Sequence, residues 1–134
     1  MTPDGAAVRL DTTVTGVGEM APEFFAADIV VLFGEDAPEE LLDVAVVHAP
    51  NAPVSSIQVG DTITISGAVE TRLEVLAVGD VVNENLANLG HLVMKCNGEG
   101  DAALPGDLCC TKAEVPVIKA GDRILITDSP GAQA

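Results

Sequence analysis

The chain carries only two histidines, His48 and His91, and almost every other familiar route to chemistry is missing. Histidine is the side chain whose ordinary pKa, about 6.5, allows it to act as a neutral nucleophile or proton carrier near pH 7. His48 ends the apolar run Val44-Ala45-Val46-Val47-His48 and is followed by Ala49-Pro50-Asn51-Ala52-Pro53. His91 ends Asn85-Leu86-Ala87-Asn88-Leu89-Gly90-His91 and leads into Leu92-Val93-Met94. A histidine on an apolar strand is ordinarily a core residue bonded to a carbonyl. Against that reading, His48 stands at a strand end where Pro50, lacking an N–H, discourages further pairing and small residues leave room for the ring to emerge at a rim. His91, behind a glycine, is expected to be better held and less exposed.

Most other constellations are rejected, although spacing alone does not exclude a Ser/His/Asp triad. There is no GxxxxGK[ST] loop, no GxGxxG fingerprint and no HExxH. Cys96, Cys109 and Cys110 lack the CxxC spacing of a zinc knuckle and read as small buried hydrophobes kept as thiols in a reducing compartment. Ser55, Ser56, Ser66 and Ser129 sit in no nucleophile elbow. A site of two histidines plus an acid for a metal is conceivable, but no spacing favours it. No metal or cofactor is expected.

The balance of 6 basic against 21 acidic residues, a net charge of −15, repels phosphate backbones and anionic lipid headgroups. With three Phe and no Tyr or Trp there are no stacking platforms for single strands, so nucleic acid is not an expected partner. A partner with a basic patch would be steered in, although the same acidity can serve solubility alone. No signal-peptide pattern and no apolar run of about 18 residues occurs, which suggests a cytoplasmic protein without membrane insertion.

The elements that must position the histidines read mainly as strands. At 134 residues, 48% of them hydrophobic, the chain fits one domain, 1–134, with a core over about 8–127 and tails at 1–7 and 128–134. Val8, Leu10, Thr12 and Val14 alternate with polar neighbours as on a half-buried strand. Further strands are expected at 29–33, 44–48, 62–66, 69–78, 92–96, 108–111, 115–118 and 123–127. Two short helices are expected: 36–42, with Asp36 as N-cap and Glu39 completing a capping box, and about 83–89, with Gly90 as left-handed C-cap. Val59-Gly60-Asp61-Thr62-Ile63-Thr64-Ile65 echoes Ala120-Gly121-Asp122-Arg123-Ile124-Leu125-Ile126, which reads as shared turn chemistry rather than duplication. About nine short strands with two brief helices imply an all-β fold, a small closed or partly open barrel, with an open sandwich as the alternative.

Three blocks resemble one family. Phe33-Gly34-Glu35-Asp36-Ala37-Pro38-Glu39-Glu40-Leu41 through His48, then Ala77-Val78-Gly79 with Glu84-Asn85-Leu86-Ala87-Asn88-Leu89-Gly90-His91, and finally Leu104-Pro105-Gly106 are similar to the glucitol/sorbitol-specific IIA component of the bacterial sugar phosphotransferase system (PTS). The resemblance runs from about Thr12 to Thr127, and the ENLxxLGH block is its most specific part. It implies a phosphotransferase component in which His48 takes a phosphoryl group from the carrier protein HPr, as a phosphohistidine intermediate. The group then passes to a cysteine of the IIB component, within the IIB/IIC permease, during hexitol uptake. The resemblance makes His91 a second participant, positioning His48 or the phosphoryl oxygens. Some relatives carry further polar residues after the phosphorylated histidine, where this chain has Ala49-Pro50. The rival from another class is an acidic β-barrel that binds or regulates without transferring anything.

Overall fold

A computed structural model describes residues 7–128. The expected tails therefore lie almost wholly outside the described residues. Eight strands form a closed barrel: β1 (Val8–Val17), β2 (Ile29–Gly34), β3 (Val46–Pro50), β4 (Thr62–Ser66), β5 (Glu70–Val78), β6 (Leu92–Lys95), β7 (Asp107–Cys110) and β8 (Arg123–Thr127). Around the barrel their order is β1-β3-β2-β6-β7-β5-β4-β8, closing back to β1. The β2/β3 and β6/β7 pairs are parallel and the rest antiparallel. Closure pairs the edges that so Val-rich a chain would otherwise expose. Alternation along the strands points Leu10, Val14, Ile63, Ile65 and Val75 into a core built of aliphatic side chains.

Two α-helices sit in the connections, α1 (Ala21–Ala26) and α2 (Val82–Leu89). Sequence periodicity misses α1, which is only six residues long and carries Pro22 and Glu23 in its first turn. The expected helix at 36–42 reduces to a single 3₁₀ turn, Glu39–Leu41. Pro38 precedes that turn, and no side chain caps it, so Asp36 does not act as N-cap. No strand forms at 115–118, where Pro116 cannot donate to a ladder; Ile118 is nevertheless buried in the core. Strand β3 runs on past His48 through Ala49 and Pro50. Pro50 is tolerated because β2 has already ended at Gly34, opposite His48, leaving β1 as the only ladder beside it.

The Gly-Asp echo extends well beyond a turn. Gln58–Asp61 and Lys119–Asp122 adopt the same tight turn, with Gly60 and Gly121 both at φ +96°. In each, the aspartate accepts the backbone N–H three residues earlier, at 2.7 Å from Gln58 and 2.9 Å from Lys119. Each turn also clasps a bulged strand: Gly60 and Asp61 bond Val75, while Gly121 and Asp122 bond Val14. The order β1-α1-β2-β3-turn-β4 repeats as β5-α2-β6-β7-turn-β8. Registers agree with an internal two-fold passing between Val31 and Val93 and between Thr64 and Leu125. Under it Val14↔His48 corresponds to Val75↔Cys110, and Thr12↔Ile124 to Leu73↔Ile63.

Candidate functional site

His48 lies on β3 with its ring turned inward. Its side chain is fully covered rather than emerging at a rim, a correction to the expectation from sequence. The ring is held at both nitrogens: Nδ1 is 2.6 Å from Thr12 Oγ1 and Nε2 is 2.7 Å from the Gly90 carbonyl oxygen. A carbonyl can only accept, so in the neutral ring Nε2 carries the hydrogen and the Thr12 hydroxyl donates to Nδ1. Burial pushes the His48 pKa below its usual value, and the Gly90 carbonyl and the Glu35 carboxylate oppose that only in part. Burial therefore favours the neutral ring.

Thr12 reaches the ring because β1 and β3 pair with Val14 opposite His48 and Thr12 opposite Pro50, a diagonal contact on the inner face. Gly90 reaches it from α2. That helix ends at Gly90 in the left-handed conformation, φ 66°, with the His91 N–H folding back to Asn85 O. Asn83 fixes the helix against the preceding segment by a two-way amide clasp, accepting from Ile57 N at 2.7 Å and donating to Ile57 O at 3.0 Å. Val81 N–H is bonded to Pro105 O, so the Leu104-Pro105-Gly106 block anchors the start of the same helix. A Cβ on Gly90 would lie 2.8 Å from Gly34 N and 3.3 Å from His48 Nε2. Only glycine allows this approach.

Above the ring opens a cleft of about 640 Å³, lined by Phe33, Gly34, Glu35, Asp36 and Pro38 on one side and by Leu86 to Gly90 on the other, with His48, Ala49, Pro50 and Val54 between. Its lining contains two carboxylates and no Lys or Arg. Glu39, Glu40 and Asp43 follow on the exposed connection, beside the exposed Leu41 and Leu42. Four of the six cations are engaged with carboxylates elsewhere: Arg9 with Asp61, Arg72 with Glu70, Lys95 with Asp107 and Arg123 with Asp11. Asn51 N–H, in the loop after β3, is bonded to Asp11 O.

His91 is half-buried on a different side. Its ring packs on Phe33, centroids 4.5 Å apart, and its Nδ1 lies 3.3 Å from Leu32 O. The hydrogen bonds of the two histidine rings run to different partners, and His91 is not part of the cleft wall. Its links to the site are indirect, through Phe33 and through the peptide it shares with Gly90. Thr12 and the Gly90 carbonyl were not foreseen as ring partners. Thr12 had a visible signal, a polar residue on the apolar face of an alternating strand. The carbonyl had none.

Among the described residues no group of three or more His, Cys, Asp or Glu gathers as a metal site would require. No helix among them is long and apolar enough to cross a membrane.

Comparison with known proteins places the chain in a family. Residues 9–125 match the family described as "PTS system glucitol/sorbitol-specific IIA component". The glucitol/sorbitol-specific EIIA components of Shigella flexneri and of Escherichia coli K12 are each 28% identical over 99 residues, covering 74% of this chain and 78% of theirs. The crystal structure of a PTS system IIA component from Enterococcus faecalis V583 superposes with a TM-score of 0.72 at 25% identity, covering 86% of this chain and 97% of that one. The chain belongs to the glucitol/sorbitol-specific IIA component family of the PTS.

Proposed function

We propose that the protein is a cytoplasmic phosphocarrier of the PTS. His48 accepts a phosphoryl group from phospho-HPr and passes it to the IIB component of a glucitol/sorbitol permease. The observation that carries this reading is a doubly anchored imidazole at the floor of an open cleft, on a chain of the IIA family. A ring nitrogen attacks phosphorus in line, and the resulting phosphoramidate stays reactive enough to hand the group on. Such transfers depend on positioning and on charge stabilisation at the phosphoryl oxygens. The cleft wall offers carboxylates and no cation, so the partner must bring the positive groups. The acidic rim and the net charge of −15 would draw such a partner in, and fast, weak, salt-sensitive encounters suit a relay.

His91 is the supporting residue in this reading. It acts through Phe33, on which its ring packs, and through the Gly90 peptide. One observation favours the second reading, an acidic binding or regulatory module: the His48 side chain is fully covered with both nitrogens occupied, as a purely structural histidine would be.

One experiment separates the two. Incubation with phosphoenolpyruvate, its PTS kinase and HPr should add a single phosphoryl mass to the protein. His48→Ala should take none, and His91→Ala should take it more slowly. Labelling undiminished in His48→Ala would reject the site, no labelling of the native protein would favour the regulatory module, and an unchanged rate in His91→Ala would leave that histidine structural.

A further inference from the structure

We propose that Thr12 is the positioning residue of this site: its hydroxyl anchors His48 Nδ1 through the whole cycle and so presents Nε2 to the donor. This rests on the phosphocarrier reading above. Thr12 is fully buried, and its Oγ1 lies 2.6 Å from Nδ1. Its neighbours on the same strand face, Leu10 and Val14, are apolar and buried.

The internal two-fold supplies an independent argument. Thr12 faces Ile124 as Leu73 faces Ile63, so the scaffold itself accepts an aliphatic side chain at that place in the wall. The residue equivalent to His48 is Cys110, whose Sγ lies against Cys96 Sγ at 3.3 Å. A hydroxyl is therefore not needed to build the barrel at this position. It occurs in the half whose β3 carries the histidine.

The two ring partners differ in one chemical respect. The Gly90 carbonyl only accepts, whereas the Thr12 hydroxyl can donate or accept. In the resting ring Nε2–H donates to Gly90 O and the hydroxyl donates to Nδ1. For Nε2 to attack, its proton must be gone and Nδ1 must carry one, which Thr12 Oγ1 then accepts. The ring keeps its anchor in both forms, while the Gly90 bond must open. One proton is thus lost from Nε2 and one gained at Nδ1, exchanged with water as the ring leaves the carbonyl. The Nε2 lone pair then forms the new N–P bond as the donor's P–N bond breaks, its electron pair leaving with the donor imidazole. Nδ1 cannot take this role without displacing Thr12 from the barrel wall, while Nε2 lies on the Gly90 side, where the cleft opens.

The test compares native protein with Thr12→Val, which keeps the shape, Thr12→Ser, which keeps the hydroxyl, and Thr12→Ala as a second deletion should the valine variant fold poorly. Phosphorus NMR of the phosphorylated native protein should report phosphorylation at Nε2; an Nδ1 signal overturns the proposal. Single-turnover transfer at saturating phospho-HPr should slow about tenfold or more in the deletions, the size of losing one hydrogen bond to a group that becomes charged, with the half-saturating donor concentration unchanged. Thr12→Ser should recover most of the rate. Nitrogen NMR of the His48 ring should show its titration midpoint lowered in the deletions and restored in Thr12→Ser, because the hydroxyl supports Nδ1–H in the protonated ring. Native transfer rate with an unmoved midpoint in Thr12→Val overturns the proposal. If the native protein takes no phosphoryl group at all, the phosphocarrier reading fails by itself, and the ring titration still decides whether Thr12 holds Nδ1.

Discussion

Substituting Gly90 by alanine tests the close approach of α2 to the His48 strand. Two costs are predictable. An L-residue held at φ 66° loses about 1–2 kcal/mol in the left-handed region. The added Cβ would also sit 2.8 Å from Gly34 N and 2.9 Å from Gly34 Cα, backbone atoms of a paired strand that cannot turn aside as a flexible side chain would. Relieving such a contact typically costs a further ~1–3 kcal/mol. Gly121→Ala is the matched control. Gly121 also has a positive φ, 96°, but nothing lies within 4 Å of its would-be Cβ. The entropic gain of replacing glycine in the unfolded chain, about 0.4–1 kcal/mol, is common to both and cancels in the difference. Gly90→Ala should therefore be the less stable of the two by about 1–3 kcal/mol, or several degrees in Tm for a domain of this size. The assay is thermal unfolding by circular dichroism or calorimetry, since the chain has no Trp or Tyr for intrinsic fluorescence. Displacing the carbonyl also weakens a bond that favours the protonated His48 ring, so the ring's titration midpoint should fall in Gly90→Ala and stay put in Gly121→Ala. Equal destabilisation of the two variants would refute the packing argument, leaving only the dihedral cost.

Two further outcomes follow from charge. His48 titrates below its unfolded value, so the unfolded chain binds more protons between the two pKa values; stability contributed by the neutral buried ring is complete above about pH 6.5 and declines as pH falls below it, by at most about 1.4 kcal/mol per pH unit. Subtracting the Tm-versus-pH curve of His48→Gln from that of the native protein should isolate this slope between pH 5 and 7, and parallel curves would contradict it. Transfer from phospho-HPr should slow as sodium chloride is raised from 50 to about 500 mM, through the association step rather than the transfer step. A flat stopped-flow profile would mean that the acidic rim does not steer.

What the sequence made legible was what local chemistry dictates. Strand β8 was bounded correctly because Ile124 and Ile126 follow a Gly-Asp turn, and the end of α2 was marked by Gly90. Barrel closure was only one of two readings, since periodicity says which face of a strand is buried but not which strand lies next to it. The partners of His48 were hidden for the same reason: Thr12 is 36 residues away and Gly90 is 42. His48 is covered because alternation along β3 turns its ring to the inner face, where Thr12 and the Gly90 carbonyl meet it, and because β1 stays paired with β3 through Pro50. The stretch at 115–118 has strand-like composition, yet it has no ladder partner; it contributes Ile118 to the core and packs Val115 against it.

The two-fold relation between the halves makes the molecule its own reference state. One niche draws Thr12 and His48 from the first half and Gly90 from the second; the other draws Leu73 and Cys110 from the second half and Asp28, at φ 65° before β6's counterpart β2, from the first, in the place of Gly90. The second niche has an aliphatic side chain, Leu73, and a thiol, Cys110, where the first has a hydroxyl and an imidazole. The difference between the niches is then a direct reading of what the first niche gives up in packing to keep a polar ring inside the wall, measurable by exchanging residues between niches of one chain rather than by comparing separate proteins.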